Sequence, residues 1–303
     1  MKLMSAQERF ASLARQDLVT VGSGSGKGRG VIASLKEIFS NREMLALLIR
    51  RDLKSRYKDS ALGFLWTLVR PLTQLFIYYI VIGKFLSAER GIPDFAIYVF
   101  TGLTAYGLFS EIVSSGTSSI VGNAGLIKKI YLPREIFPLA SVGSALFNFL
   151  NQLLILVVAT IALGVFPVTI DIVYFVPALL VLLVFGTAFG VLLAAVNVYL
   201  RDVQYLVEVL LLLALWASPI VYSWEMVKEF LGQGLALEIY TNNPITLSVL
   251  GFQRALWTGG QGVVETPGDL MMRLGIAFVV GLMLLLVSQR VFARLQGNFA
   301  QAL

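Results

Sequence analysis

The sequence predicts an all-α polytopic membrane protein. It should have six transmembrane helices, an amphipathic helix at the membrane surface before the first, and re-entrant helices before the last. Three observations carry that prediction. Hydrophobic residues make up 57% and charged residues 14% of the 303-residue chain, with a mean hydropathy of +0.80, so too little polar surface remains for a soluble globular protein. A bilayer core of roughly 30 Å takes about 20 apolar residues per helix, which gives a chain of this length room for about six spans. Basic loops alternate with neutral or acidic ones, as in a chain that crosses back and forth. With no His and no Cys, the usual zinc sites, thiol nucleophiles and imidazole acid–base groups are unavailable. Redox and hydrolytic enzyme readings lose their support accordingly. The formal net charge of +6 is assigned to membrane orientation rather than to nucleic acid.

The N-terminal segment 1–36 reads as a cytoplasmic tail containing a Gly/Ser linker, VGSGSGKGRG (21–30). Half of the 24 basic residues lie before residue 61, which keeps this part of the chain inside. The basic start lacks the apolar core and cleavage site of a signal peptide, so no processing is expected. Gly22 to Gly28 superficially resembles a phosphate-binding loop. It has three residues between its glycines instead of four, Gly28 in place of Ser or Thr after Lys27, and no preceding buried strand. No other segment offers such a loop, so any ATP that drives this protein is expected to be hydrolysed by another chain.

The interface segment covers 37–61. Over 37–58, Ile38, Met44, Leu45, Leu48, Ile49 and Leu53 fall at helical spacing beside a dense basic face, as an interfacial helix requires. A solvated cytosolic helix is the plainer alternative. Six apolar segments follow over 62–84, 95–118, 137–164, 172–198, 205–222 and 271–290, forming a 62–290 transmembrane domain. Lys128, Lys129 and Arg134 mark the second connection as cytoplasmic, and Arg201 marks the fourth. The connections 87–94 and 165–171 are poor in basic residues, and 223–270 is net acidic. Both termini are therefore expected inside, with 291–303 as a cytoplasmic tail. Within 223–257, PITLSVLGFQRALW (244–257) is too short to cross and is bounded by Asn242-Asn243 and Gly259-Gly260. It is read as a re-entrant or interfacial helix at the outer mouth.

No catalytic or metal-binding residue is assigned. The cytoplasmic segment 122–133 mixes Leu126, Ile127 and Ile130 with Lys128 and Lys129. Either it is a connecting turn that obeys the charge rule, or its apolar patch docks a partner. Arg70, Glu111 and Glu208 lie in or near spans; structural pairing and function stand level for Arg70 and Glu111, and a local partner is expected for Glu208. Aromatic faces stack on sugar rings, which makes Trp66, Tyr79, Trp216 and Tyr222 candidates for a substrate path. The competing reading is the interfacial aromatic belt, to which Trp224 and Trp257 are assigned. Arg51 and Arg56 are candidates for a diphosphate, because the guanidinium binds phosphate bidentately; generic attraction to anionic lipid explains the same cluster.

The blocks RRDLKSRYKDSALGFLWTLVRPL (50–72), YLPREIFPLASV (131–142), YLRDVQYLVEV (199–209), SPIVYS (218–223) and NPIT with FQRALW (243–257) together resemble the membrane subunit of ABC type-2 polysaccharide exporters. These are the permeases for lipid-linked O-antigen, teichoic acid and capsule. The resemblance covers about 42–294. It implies a non-catalytic permease in the cytoplasmic membrane, working as a homodimer with two copies of a separate ATPase subunit that binds ATP and Mg, and with no cofactor of its own. It further implies that 122–133 is the coupling helix and that the substrate is a lipid-linked polysaccharide moved outward along a channel at the dimer interface. An ABC type-2 exporter of a drug or lipid shares the fold and is the alternative. A secondary transporter or a scaffold of glycan synthesis belongs to other classes.

Overall fold

A computed structural model describes residues 40–57, 65–85, 92–129 and 132–303. The tail 1–36 and its linker lie outside the described residues. Helix α1 (Arg42–Tyr57) falls in the segment expected to be the interface helix, and the predicted start of that helix at residue 37 also lies outside. Helix α2 (Leu65–Phe76) contains Pro71 and continues as wider π-helical backbone over Ile77–Phe85. Proline removes one hydrogen bond of the ladder and crowds the preceding turn, so a regular α-helix is harder to sustain there. Then come α3 (Phe95–Gly122), the single turn α4 (Ala124–Ile127), α5 (Ile136–Ala162), a 3-10 turn Ile170–Tyr174 leading into α6 (Phe175–Tyr199), and α7 (Val203–Trp216). Three shorter helices, α8 (Trp224–Leu231), α9 (Leu235–Thr241) and α10 (Pro244–Leu256), precede α11 (Leu270–Leu295). The chain closes with the 3-10 turn Gln296–Asn298 and α12 (Phe299–Ala302). Among the described residues there is no strand.

Four helical stretches are long and apolar enough to cross a bilayer: Phe95–Gly122, Ile136–Ala162, Ile170–Tyr199 and Leu270–Asn298. At the other two predicted spans the apolar helices are shorter, Pro71–Val81 and Val203–Trp216. The fifth, expected to run to residue 222, stops at Trp216. Pro219 has no N–H to donate, and the backbone turns there, with Ile220 N bonded to Ser218 O at 2.8 Å.

Helix α3 is the central post. Its most apolar window is 78% buried, against 17% for that of α11, which leaves Met272, Ile276, Val279, Val280 and Met283 on the outside. Small residues let membrane helices approach closely, and here Gly116 of α3 meets Gly190 of α6 backbone to backbone. A Cβ built on Gly116 would lie 2.9 Å from Gly190 Cα. Two apolar cores result. The larger runs from the middle of the bundle to the end holding α8–α10. The smaller, built on Leu48, Ile120, Ile136, Val191, Phe292 and Phe299, lies at the opposite end, where the basic connections gather.

Candidate functional site

At the basic end, α1 is pinned to α5: Leu48 is buried, and Ile49 sits directly over Gly143, where a Cβ would come within 2.4 Å of Ile49 Cδ1. That contact turns Arg50, Arg51 and Lys54 outward. Arg51 is already engaged. Its Nη2 donates to Asp52 Oδ1 at 2.6 Å and to Asn123 Oδ1 at 2.7 Å, while Asn123 Nδ2 donates back to Ser119 O at 2.8 Å. The guanidinium therefore ties α1 to the joint between α3 and α4. The side chain of Arg56 lies outside the described residues.

The predicted coupling segment contains the single turn α4. Leu126 and Ile127 lean inward on the smaller core, as does Leu132, while Gly125, Lys128 and Lys129 face out. The apolar side chains that suggested a docking patch are thus partly covered by the protein itself, and the outward face is small and basic. Ile130 lies outside the described residues. The C-terminus belongs to the same core: 291–303, expected as a cytoplasmic tail, is α11 running on to Leu295 followed by a turn whose Phe299 is fully buried.

At the far end, the joint after α7 is clamped. The Tyr98 hydroxyl lies 2.9 Å from Pro219 O and 2.8 Å from Tyr222 O, and Gln253 Nε2 donates to Pro219 O at 2.8 Å. Tyr222 in turn donates to Trp216 O at 2.7 Å. Tyr240, whose hydroxyl burial pushes above the ordinary phenol range, reaches Tyr222 Oη at 3.4 Å. Tyr98 and Gln253 escaped the sequence reading; a Tyr and a Gln inside apolar helical stretches were the available signal. Trp224 and Trp257, assigned to the lipid belt, are instead buried in the protein. Trp224 Nε1 donates to Thr241 Oγ1 at 2.9 Å and Trp257 Nε1 to Pro93 O at 2.7 Å, because a buried indole N–H needs a partner. They frame a cleft of about 130 Å³ with Tyr98, Asp171, Arg254 and Glu265. Arg254 Nε bonds Asp171 Oδ1 at 3.2 Å across its rim. On α9, Glu238 accepts a two-pronged bond from Arg273, at 2.6 and 3.1 Å, which holds its carboxyl below the usual range.

Of the path candidates, the structure brings Trp216 and Tyr222 together and places Tyr79 on another element, under Lys84 Nζ at 5.7 Å. Trp216 and Tyr79 are exposed at 59% and 47%, so neither is absorbed by the core. Trp66 is on α2 and its side chain lies outside the described residues. Helix α7 exposes Tyr205, Leu206, Val209, Leu210 and Leu213 beside Glu208. Glu111, midway along α3, accepts from Asn148 Nδ2 of α5 at 2.6 Å, a partner between spans that spacing did not reveal. Among the described residues no three acidic side chains converge as a metal site would need.

A bundle with four membrane-length apolar helices is a multi-pass membrane protein. Its particular kind follows from comparison. The family model described as ABC-2 type transporter matches residues 43–257, from α1 through the end of α10, and the chain belongs to that family. It is 32% identical over 223 residues to an O-antigen export system permease protein of Myxococcus xanthus, covering 74% of this chain and 84% of the relative. A Klebsiella pneumoniae protein of the same description is 27% identical over 262 residues, 86% and 95% of the two chains. A capsule polysaccharide export inner-membrane protein of Neisseria meningitidis is 26% identical over 163 residues, 51% of this chain and 58% of that one.

Proposed function

We propose that this chain is the membrane permease of an ATP-driven exporter that moves a lipid-linked polysaccharide from the cytoplasmic to the outer side of the cytoplasmic membrane. The observation that carries the reading is the match to export permeases along nearly their whole length, 84% and 95% of two relatives. Positive charge favours the cytoplasmic side, so the basic end with both termini faces inward and α8–α10 form a re-entrant cap outside. Six crossings are then α2 with its π-helical extension, α3, α5, α6, α7 and α11. Helix α7, 14 residues long, rises only about 21 Å at 1.5 Å per residue, and the clamped joint 217–222 completes its crossing.

The permease does no covalent chemistry. It works as a homodimer, each copy docked through its basic end onto a separate ATPase chain that binds ATP and Mg. The aromatic rings left exposed on α2 and α7, Tyr79 and Trp216, face the polymer across the dimer interface, where flat C–H-binding surfaces permit sliding without deep wells. Arg56 is the stronger of the two diphosphate candidates, since Arg51 already holds Asp52 and Asn123.

The test is deletion in the native host followed by complementation. Surface polysaccharide should disappear and return with the wild-type chain. The purified chain should bring down an ATPase whose vanadate-sensitive activity drives export. Export that persists with vanadate and collapses with a proton ionophore would replace the reading with a secondary transporter.

A further inference from the structure

The family model ends at residue 257, so the C-terminal turn after α11 lies outside the residues it matches. It is nevertheless built into the basic end. Phe299 is fully buried, with its ring 5.5 Å from Phe292 at 89° and 6.0 Å from Tyr199 at 61°. The Arg134 guanidinium lies 5.6 Å from its ring centroid. Polar contacts fix the same turn: Tyr199 Oη donates to Leu295 O at 2.7 Å, and Gln296 Nε2 donates to Glu135 Oε1 at 3.3 Å. Leu295, Ala302 and Leu303 share one apolar core with Leu126, Ile127 and Leu132.

That sharing matters because α4 cannot hold itself in place. A single turn of four residues is far below the length at which a helix is stable alone, and none of its own residues is buried. Its position is set by the floor it rests on, and the C-terminal turn is part of that floor. Gly125, Lys128, Lys129 and Gln301 remain exposed on the outward side.

We infer that α4 with Lys128 and Lys129 and the C-terminal turn 299–303 form one docking surface for the partner ATPase, with Phe299 as the positioning residue that presents α4. The identity of the partner rests on the proposed function; the brace does not. A cysteine-free chain makes the test direct. A nitroxide is attached to Gly125→Cys, a position where an added Cβ meets nothing within 4 Å. A second labelled protein carries Gly268→Cys, equally open and at the far end.

In the full-length chain in nanodiscs, Phe299→Ala should raise label mobility at 125 and leave it unchanged at 268. It should also weaken binding of the ATPase that co-purifies with the wild type by about tenfold or more, and Phe299→Leu should restore both. A stop codon after Asn298 serves as a second variant if Phe299→Ala accumulates poorly. Unchanged mobility at 125 in folded Phe299→Ala and in the truncation would overturn the brace. Raised mobility with unchanged ATPase affinity would overturn the docking surface and leave the turn a stability element. A wild-type chain that recruits no ATPase would overturn the functional reading itself, while the label at 125 would still decide the brace.

Discussion

The clamp on the α7–α8 joint makes a quantitative prediction, because two carbonyls there depend on two donors. The Tyr98 hydroxyl carries one hydrogen and lies within reach of both Pro219 O and Tyr222 O, and Gln253 Nε2 donates to Pro219 O. With Gln253 on Pro219 O, the Tyr98 hydrogen is left for Tyr222 O. Tyr98→Phe then strands Tyr222 O, at a cost of about 1–3 kcal/mol for a buried acceptor. Gln253→Met leaves one hydrogen for two carbonyls and should cost a similar amount, about 1–3 kcal/mol. The double variant strands both, in a stretch where Ser218 and Ile220 are 0% and 1% exposed. The single losses should therefore add, to about 2–6 kcal/mol in total. Trp216 and Trp224 flank the joint, so reversible unfolding in mixed micelles followed by Trp fluorescence measures all four proteins. A double variant no less stable than the weaker single variant would refute the pairing of donors with carbonyls and, with it, the claim that Tyr98 and Gln253 hold the end of α7 together.

Gly116→Leu should force α3 and α6 apart, because its Cβ alone would sit 2.9 Å from Gly190 Cα; overpacking of about 1–3 kcal/mol or more should appear as a lower melting temperature in detergent, while Gly122→Leu, with open space around it, should melt like the wild type. Glu238→Gln should weaken the α9–α11 contact at neutral pH. The carboxyl is held below its ordinary value of 4.5 by Arg273, so its contribution is present above that value and lost as pH falls through the lowered one; melting curves of variant and wild type should converge in acid, and a gap that persists there would exclude the ion pair as its cause. Replacing Trp216 and Tyr79 by Ala should lower polysaccharide export severalfold with ATPase assembly intact, and normal export by both variants would assign these rings to lipid.

Periodicity and charge located most of the fold because a bilayer imposes a length on every crossing. The predicted stretches 95–118, 137–164, 172–198 and 271–290 all reappear as helices. In the fifth, the helix ends six residues before the predicted stretch does. Hydropathy rewards Ile220 and Val221 as strongly as any helical residue, whereas the end of α7 is decided by one missing N–H at Pro219. The packing of the C-terminal turn was not legible for a related reason. The burial of Phe299 depends on Phe292, Tyr199 and Arg134, which come from elsewhere in the chain.

The same distinction separates the aromatic residues, and it bears on how the transporter works. Trp224, Trp257 and Tyr98 differ from Trp216 and Tyr79 by more than depth along the apolar stretches, which was the signal that sequence position offered. What divides them is where the polar atom goes. Each of the first three has its N–H or O–H bonded inside the protein, and such a ring is committed to holding the far cap together. Trp216 and Tyr79 keep large exposed faces, on α7 and on the π-helical continuation of α2. Such uncovered faces need lipid or protein beside them, whereas α3, α5, α6 and α11 already pack on one another. A division of labour follows, in which the four long helices and the buried tryptophans make a rigid frame. On the proposed function, the exposed faces of α7 and of the α2 continuation are where a second copy and a moving polymer would act, and the alanine variants of Trp216 and Tyr79 test that assignment.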